Sequence, residues 1–193
     1  MTVYHQNDPI MAELRSLLVS PPVQKIQFRF GTFQLLSLDF RHLAQRLADP
    51  SSRVSILVDP SALKANVLAK YKPAINQFVF ASDTVMRTPR GRGIVVHESV
   101  HAIFDLRDSI SMDLAEESIT FLAEAWYCVE IGAEADFLAH EAHRILDIAK
   151  AVRARGRSTI PEVTLSERIE LRRIVRKRYD YSPGLSRRGG GFK

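Results

Sequence analysis

Apolar side chains recur at helical spacing from Asp8 to about Val19, where Ile10, Met11, Leu14, Leu17 and Leu18 share one face. Pro21-Pro22 cannot continue that helix. The pattern then alternates from Val23 to Phe30, with Ile26, Phe28 and Phe30 opposite Lys25, Gln27 and Arg29, which predicts a strand. A helix capped by Asp39 is expected through Ala48, ended by Asp49-Pro50-Ser51-Ser52. Short apolar runs at Val54–Val58 and Gln77–Ala81 predict two more strands, while Ala65–Tyr71 fits no single period. The second half is helical: Gly93–Leu106, about Met112–Ile131, Glu134–Arg155 and about Glu162–Arg178, with Ser111 a candidate N-cap and Pro161 near a first turn. Strands first and helices after predict an α+β fold.

The chain's 193 residues suffice for one domain with its own core. No run approaches 18 apolar residues, so no membrane-spanning helix is expected. The start lacks a basic segment leading into an apolar one, which places the expected location in the cytoplasm unless export needs no signal. Cys128 is alone, which excludes an internal disulfide and a multi-thiolate metal site. The net charge of +5 divides unevenly, with +8 on residues 151–193 and −3 on residues 1–150. That asymmetry predicts a body spanning 1–155 and a basic C-terminal helix with a tail over 156–193. The tail offers a surface for an acidic partner or nucleic acid, although most charged helices of this kind are only solvated.

One pentapeptide changes the picture: His97-Glu98-Ser99-Val100-His101. Residues four apart on a helix lie one above the other, so both imidazoles can reach one point beside it. Glu98 points about 100° round, near that point without having to ligate. This is the His-Glu-x-x-His pattern of zinc metallopeptidases, whose Glu is the general base. Chance alone gives it in roughly one chain per hundred of this composition. A catalytic zinc keeps three protein ligands and one open position. A third His six residues after His101 is excluded because Arg107 stands there. The remaining source is a carboxylate on the next helix, where Glu116 and Glu117 are adjacent and only one can ligate. Glu117 is the choice, since Thr120, Phe121, Glu124 and Cys128 share its face, and Glu116 is the alternative.

The stretches His97-Glu98-Ser99-Val100-His101-Ala102-Ile103-Phe104-Asp105-Leu106 and Glu117-Ser118-Ile119-Thr120-Phe121 resemble gluzincin-type zinc metallopeptidases, in particular small bacterial ones. Those read His-Glu-x-x-His-Ala-x-x-Asp-Leu and then Glu-x-x-Ala-Tyr or Phe; Thr120 departs from the usual Ala. The resemblance implies a zincin-like architecture: a small N-terminal sheet, an active-site helix, and a following helical hairpin that returns with the last ligand.

Asp105, one turn beyond His101, is placed to accept the second ring N–H of a ligand histidine, or else caps the helix end. Glu124 reads as a surface residue, and His140 with His143 as a solvated pair whose minor reading is a transition-state donor; Tyr71 and Tyr127 are weaker candidates for that role. The expected function is hydrolysis of a peptide or protein bond, with one zinc ion on His97, His101 and Glu117 and with Glu98 taking the proton of the attacking water. Strand Gln77–Ala81 is expected to offer an edge to extended substrate. Two other classes fit the same residues: a zinc-binding interaction protein without catalysis, and a nucleic-acid-associated protein acting through the basic C-terminal region.

Overall fold

A computed structural model describes residues 2–109, 113–156 and 159–179. The chain begins with β1 (Thr2–Tyr4) and α1 (Pro9–Leu18), whose apolar stripe from Ile10 to Leu18 is buried as its spacing predicts. Pro21 and Pro22 end one helix and start another. With φ already near the helical value they open the short α2 (Pro21–Gln24), so the predicted strand over 23–30 survives only as β2 (Phe28–Phe30). Gly31, at φ +65°, makes the tight turn into β3 (Phe33–Leu35), and the two strands form a separate hairpin. In α3 (Ser37–Ala48), Asp39 sits inside the first turn and accepts the Leu36 backbone N–H at 2.7 Å; it is not the cap residue itself.

The main sheet has four strands: β1, β4 (Ser55–Val58), β5 (Ala69–Lys72) and β6 (Gln77–Phe80), in the order β1-β4-β6-β5. β4 and β6 pair in parallel, and the outer strands are antiparallel to their neighbours. The expected strand over 77–81 is therefore central, with both edges paired. The edge beside the helices is β5, formed by the stretch whose period is ambiguous in the sequence.

Thr88 caps α4 (Pro89–Leu106) by accepting the Gly91 N–H at 3.0 Å, and Pro89 occupies its first position. α5 (Asp113–Glu130) returns against α4, and Ser111 lies outside the described residues. The single helix expected over 134–155 is two, α6 (Glu134–Leu138) and α7 (His143–Arg155). No Pro or Gly marks the break. Phe137 is buried at the end of α6, its carbonyl accepts the Glu141 N–H, and Ala142 turns extended before α7 starts. Pro161 does not open the last helix either. Residues 161–163 lie along β2, with Arg29 N–H bonded to the Pro161 carbonyl and Val163 N–H to the Arg29 carbonyl. Thr164 and Glu167 then cap each other reciprocally at the start of α8 (Leu165–Tyr179). Leu171 and Val175 of α8 are buried in the same core as α4 and α5. Phe28 stacks near Trp126 and Phe33 on Phe104, which ties the hairpin to the two central helices. The fold is α+β, and no helix among the described residues is long and apolar enough to cross a membrane.

Candidate metal centre

Helix α4 is unusual in what it buries. His97, Ser99, His101 and Asp105 are enclosed together with Val95, Val96, Val100 and Ile103. Ser99 meets its need locally by donating to the Val95 carbonyl. The imidazoles cannot do that; a ring nitrogen taken from water needs a partner or costs free energy. Their partners come from α5. Nδ1 of His97 faces Oε2 of Glu124 at 3.0 Å, and Nδ1 of His101 faces Oε1 of Glu116 at 2.6 Å. With Nδ1 engaged, each ring turns Nε2 towards Glu117, whose two oxygens lie 3.5 Å from Nε2 of His97 and 3.6 Å from Nε2 of His101.

His97, Glu98 and His101 offer ligand atoms within 4.8 Å of one another, a grouping that could hold a metal ion. Glu117 approaches the same two nitrogens more closely, and the surroundings separate the two carboxylates. Glu98 Oε2 accepts the backbone N–H of Tyr71 at 2.6 Å, which draws it towards β5. Glu117 spans the gap between the imidazoles. The sequence-predicted His97, His101, Glu98 and Glu117 are thus brought together, and Glu116, the alternative ligand, sits on the far nitrogen of His101.

The supporting role expected of Asp105 is filled by Glu116 and Glu124. Asp105 accepts the Tyr71 hydroxyl at 2.7 Å, and so commits that hydroxyl away from the open side of the site. Burial and the Asp105 hydrogen bond both push the Tyr71 phenol above its ordinary range. Glu124 is buried, with 7% of its surface exposed, and the surface role read from the sequence is wrong. The signal was present: Glu117 and Glu124 are seven apart, two turns on one face. Gly93, one turn before His97, lets α5 approach closely, because a Cβ there would lie 3.1 Å from Cys128 Sγ. Tyr127 is buried beside Arg92.

Burial opposes the charged form of both imidazoles, but the carboxylates outweigh it. Hydrogen bonds from Glu117 and Glu124 raise the pKa of His97 well above its ordinary value. The charge of Glu117 and the hydrogen bond to Glu116 raise that of His101. Each histidine stands where positive charge is favoured, as a centre for a cation requires.

The centre opens into a cavity of about 590 Å³ between β5, α4, α5 and the α6–α7 turn. His140 and Glu141 reach its wall because of the break between α6 and α7, whereas His143 begins α7 outside it. No family model matches the chain, and neither a curated protein nor a solved structure is significantly similar to it.

Proposed function

We propose that the chain is a zinc-dependent peptide hydrolase with a zincin-like arrangement of one sheet and two ligand-bearing helices. The observation that carries this reading is the placement of Glu117 across the two Nε2 atoms at 3.5 and 3.6 Å. One Glu117 oxygen faces each imidazole, so the two rings and the carboxylate border one shared space, as the holders of a single ion would. The donor set of two neutral imidazoles and one carboxylate suits zinc and leaves a fourth corner for water. The Nδ1 contacts to Glu116 and Glu124 supply the outer carboxylates that fix the ring tautomers of ligand histidines.

Bound there, zinc supplies Lewis acidity towards a water and a peptide carbonyl. The chain supplies the proton transfers and the orientation. Glu98, held by the Tyr71 N–H at the rim of the site, accepts the proton of the attacking water and delivers it to the leaving amine nitrogen. Glu116 and Glu124 hold the ligand rings still. β5 lies along the cavity as the exposed edge of the sheet and can guide an extended peptide past Glu98. His140, on the cavity wall, is a candidate donor to the developing oxyanion.

The test is Glu98→Gln in zinc-loaded protein. Zinc content should stay at one equivalent while turnover of a peptide mixture, followed by mass spectrometry, falls at least about a hundredfold, within the range for loss of a general base. Unchanged turnover would remove Glu98 from the mechanism, and absence of zinc from the wild-type protein would remove the reading altogether.

A further inference from the structure

The cavity wall carries three cations that the metal reading does not use: Lys64, Lys70 and Arg90. The topology collects them at one end. β6 runs to its C-terminus at Phe80, and α4 begins nine residues later, at Pro89. The start of β5 pairs with that end of β6, through Ala69 opposite Phe80. Lys70, the loop bearing Lys64 and the first turn of α4 bearing Arg90 therefore border the same end of the cleft. Arg90 also lies on the stripe that carries the site, since positions 90, 94, 97 and 101 all face the cavity. None of the three cations pairs with a carboxylate among the described residues, whereas Arg107, at the other end of α4, is held by Asp39. The Nε of Arg90 is buried and has no hydrogen-bond partner. Arg90 lines the cavity, and a guanidinium there offers the fork that a carboxylate fits.

Eight residues of helix separate Arg90 from Glu98, about 12 Å along the axis. An extended chain covers that distance in three to four residues. We propose that this end of the cavity is a carboxylate-recognition subsite. The substrates would be peptides with an acidic group three to four residues from the bond placed at Glu98, held by Arg90 with Lys64 and Lys70 adding long-range attraction. The carboxylate is that of an Asp or Glu side chain or of the peptide's own C-terminus. Asp136 also lines the cavity, and a peptide carboxylate is disfavoured beside it. The inference rests on the peptide-binding part of the reading above, but not on turnover.

Binding of fluorescent octapeptides to zinc-loaded full-length Glu98→Gln protein tests it without cleavage. Each position of a neutral peptide is changed in turn to Glu or Gln, and each peptide is made as the free acid and as the C-terminal amide. Glu at one register should bind at least about tenfold tighter than Gln, the expected scale for a charge-assisted pair. The preference should shrink with added salt and vanish in an added Arg90→Glu change. A preference seen only in the free acids assigns the subsite to chain ends; one that persists in the amides assigns it to acidic side chains. Equal binding of Glu and Gln peptides at every position, or a preference untouched by Arg90→Glu, overturns the proposal. Lys64→Glu with Lys70→Glu, both at exposed positions, is the parallel variant should Arg90→Glu fail to fold; it should cut the preference by severalfold, and no change in it counts against the subsite. Charge-blind binding accompanied by turnover would sink the subsite and leave the hydrolase, whereas charge-selective binding without turnover in the wild type would do the reverse.

Discussion

Helices α4 and α5 carry charged residues at 9 of 36 positions and helices α7 and α8 at 13 of 28, and the two pairs use them in opposite ways. α7 buries Ile145, Leu146, Ile148, Ala149 and Val152 and leaves its charges outside, where Arg153 meets Glu130 and Lys150 meets Glu134. In α8, Arg173 pairs with Glu170, and Arg155 at the end of α7 reaches Glu167. Where both partners are exposed such pairs contribute little because water screens them; Glu130, 3% exposed between Arg153 and Lys25, is the exception. α4 and α5 instead bury two histidines among Glu116, Glu117 and Glu124, with Glu98 at the rim. Buried charge without compensation is among the most costly features a fold can carry. The first pair of helices encloses ionisable groups of the kind that the second keeps close to water. A cation held between the rings would turn that crowd of carboxylates from a liability into a source of binding energy.

The sharpest way to break this contrast is to remove a ligand. Glu117→Ala or His101→Ala should take the zinc content of purified protein from one equivalent to near zero, while circular dichroism still reports the helices. Full retention of metal in both variants would mean that the imidazoles and Glu117 do not form the centre. Next in size is Glu124→Gln. The amide keeps an acceptor for the His97 ring but loses the charge, so zinc affinity measured against a competing chelator should fall about 10- to 100-fold. The chelator-treated variant should melt lower than wild type near pH 6, because the buried imidazolium of His97 loses one of the carboxylates that stabilise it. A variant that keeps full affinity would make Glu124 an ordinary packing residue.

A pH series sharpens the comparison. In metal-stripped protein His97 and His101 have pKa values raised above the ordinary imidazole value near 6.5, so the folded state binds more protons than the unfolded chain. Their contribution to stability is complete below about pH 6.5 and is lost as pH rises through the elevated values. The stripped protein should therefore melt at progressively lower temperature above neutrality. Zinc must displace those protons, so apparent zinc affinity should climb over the same interval. Scanning fluorimetry from pH 6 to 9, with chelator and with zinc, reads both trends. A stripped protein whose melting temperature rises over that range contradicts the raised values.

The sequence carried the local half of this centre and not the rest. His97, Glu98 and His101 share one turn of helix, and a period of 3.6 fixes their relation whatever surrounds them. Glu117 was accessible by one further step, because a short turn after α4 leaves little choice but an antiparallel return. Glu116 and Glu124 were harder to assign, since a carboxylate two turns along a helix looks the same whether it faces water or a histidine. Only the packing of α5 on α4 decides that. Sheet order was equally hidden: nothing in Gln77–Phe80 distinguishes a central strand from an edge, because its neighbours at 55–58 and 69–72 are set by the path of the chain. The break at 139–142 has no Gly or Pro to announce it, and Pro21-Pro22 opens a helix that runs into residues where alternation implied a strand.

The smallest expected effect bears on the other side of the contrast. Arg173 binds both oxygens of Glu170 at 2.9 and 2.8 Å, a bidentate geometry as good as any in the molecule. The pair is exposed and lies within one helix, three residues apart, so water competes for both partners and their side chains must be ordered to meet. Glu170 nevertheless has its pKa lowered by the Arg173 hydrogen bond, which shows that a charge can feel its neighbour without the fold depending on it. Arg173→Ala should leave the melting temperature within the scatter of replicate measurements, and zinc affinity unchanged. If this substitution lowered the melting temperature by several degrees, good geometry at the surface would rank with burial, and the contrast between the two pairs of helices would lose its physical basis.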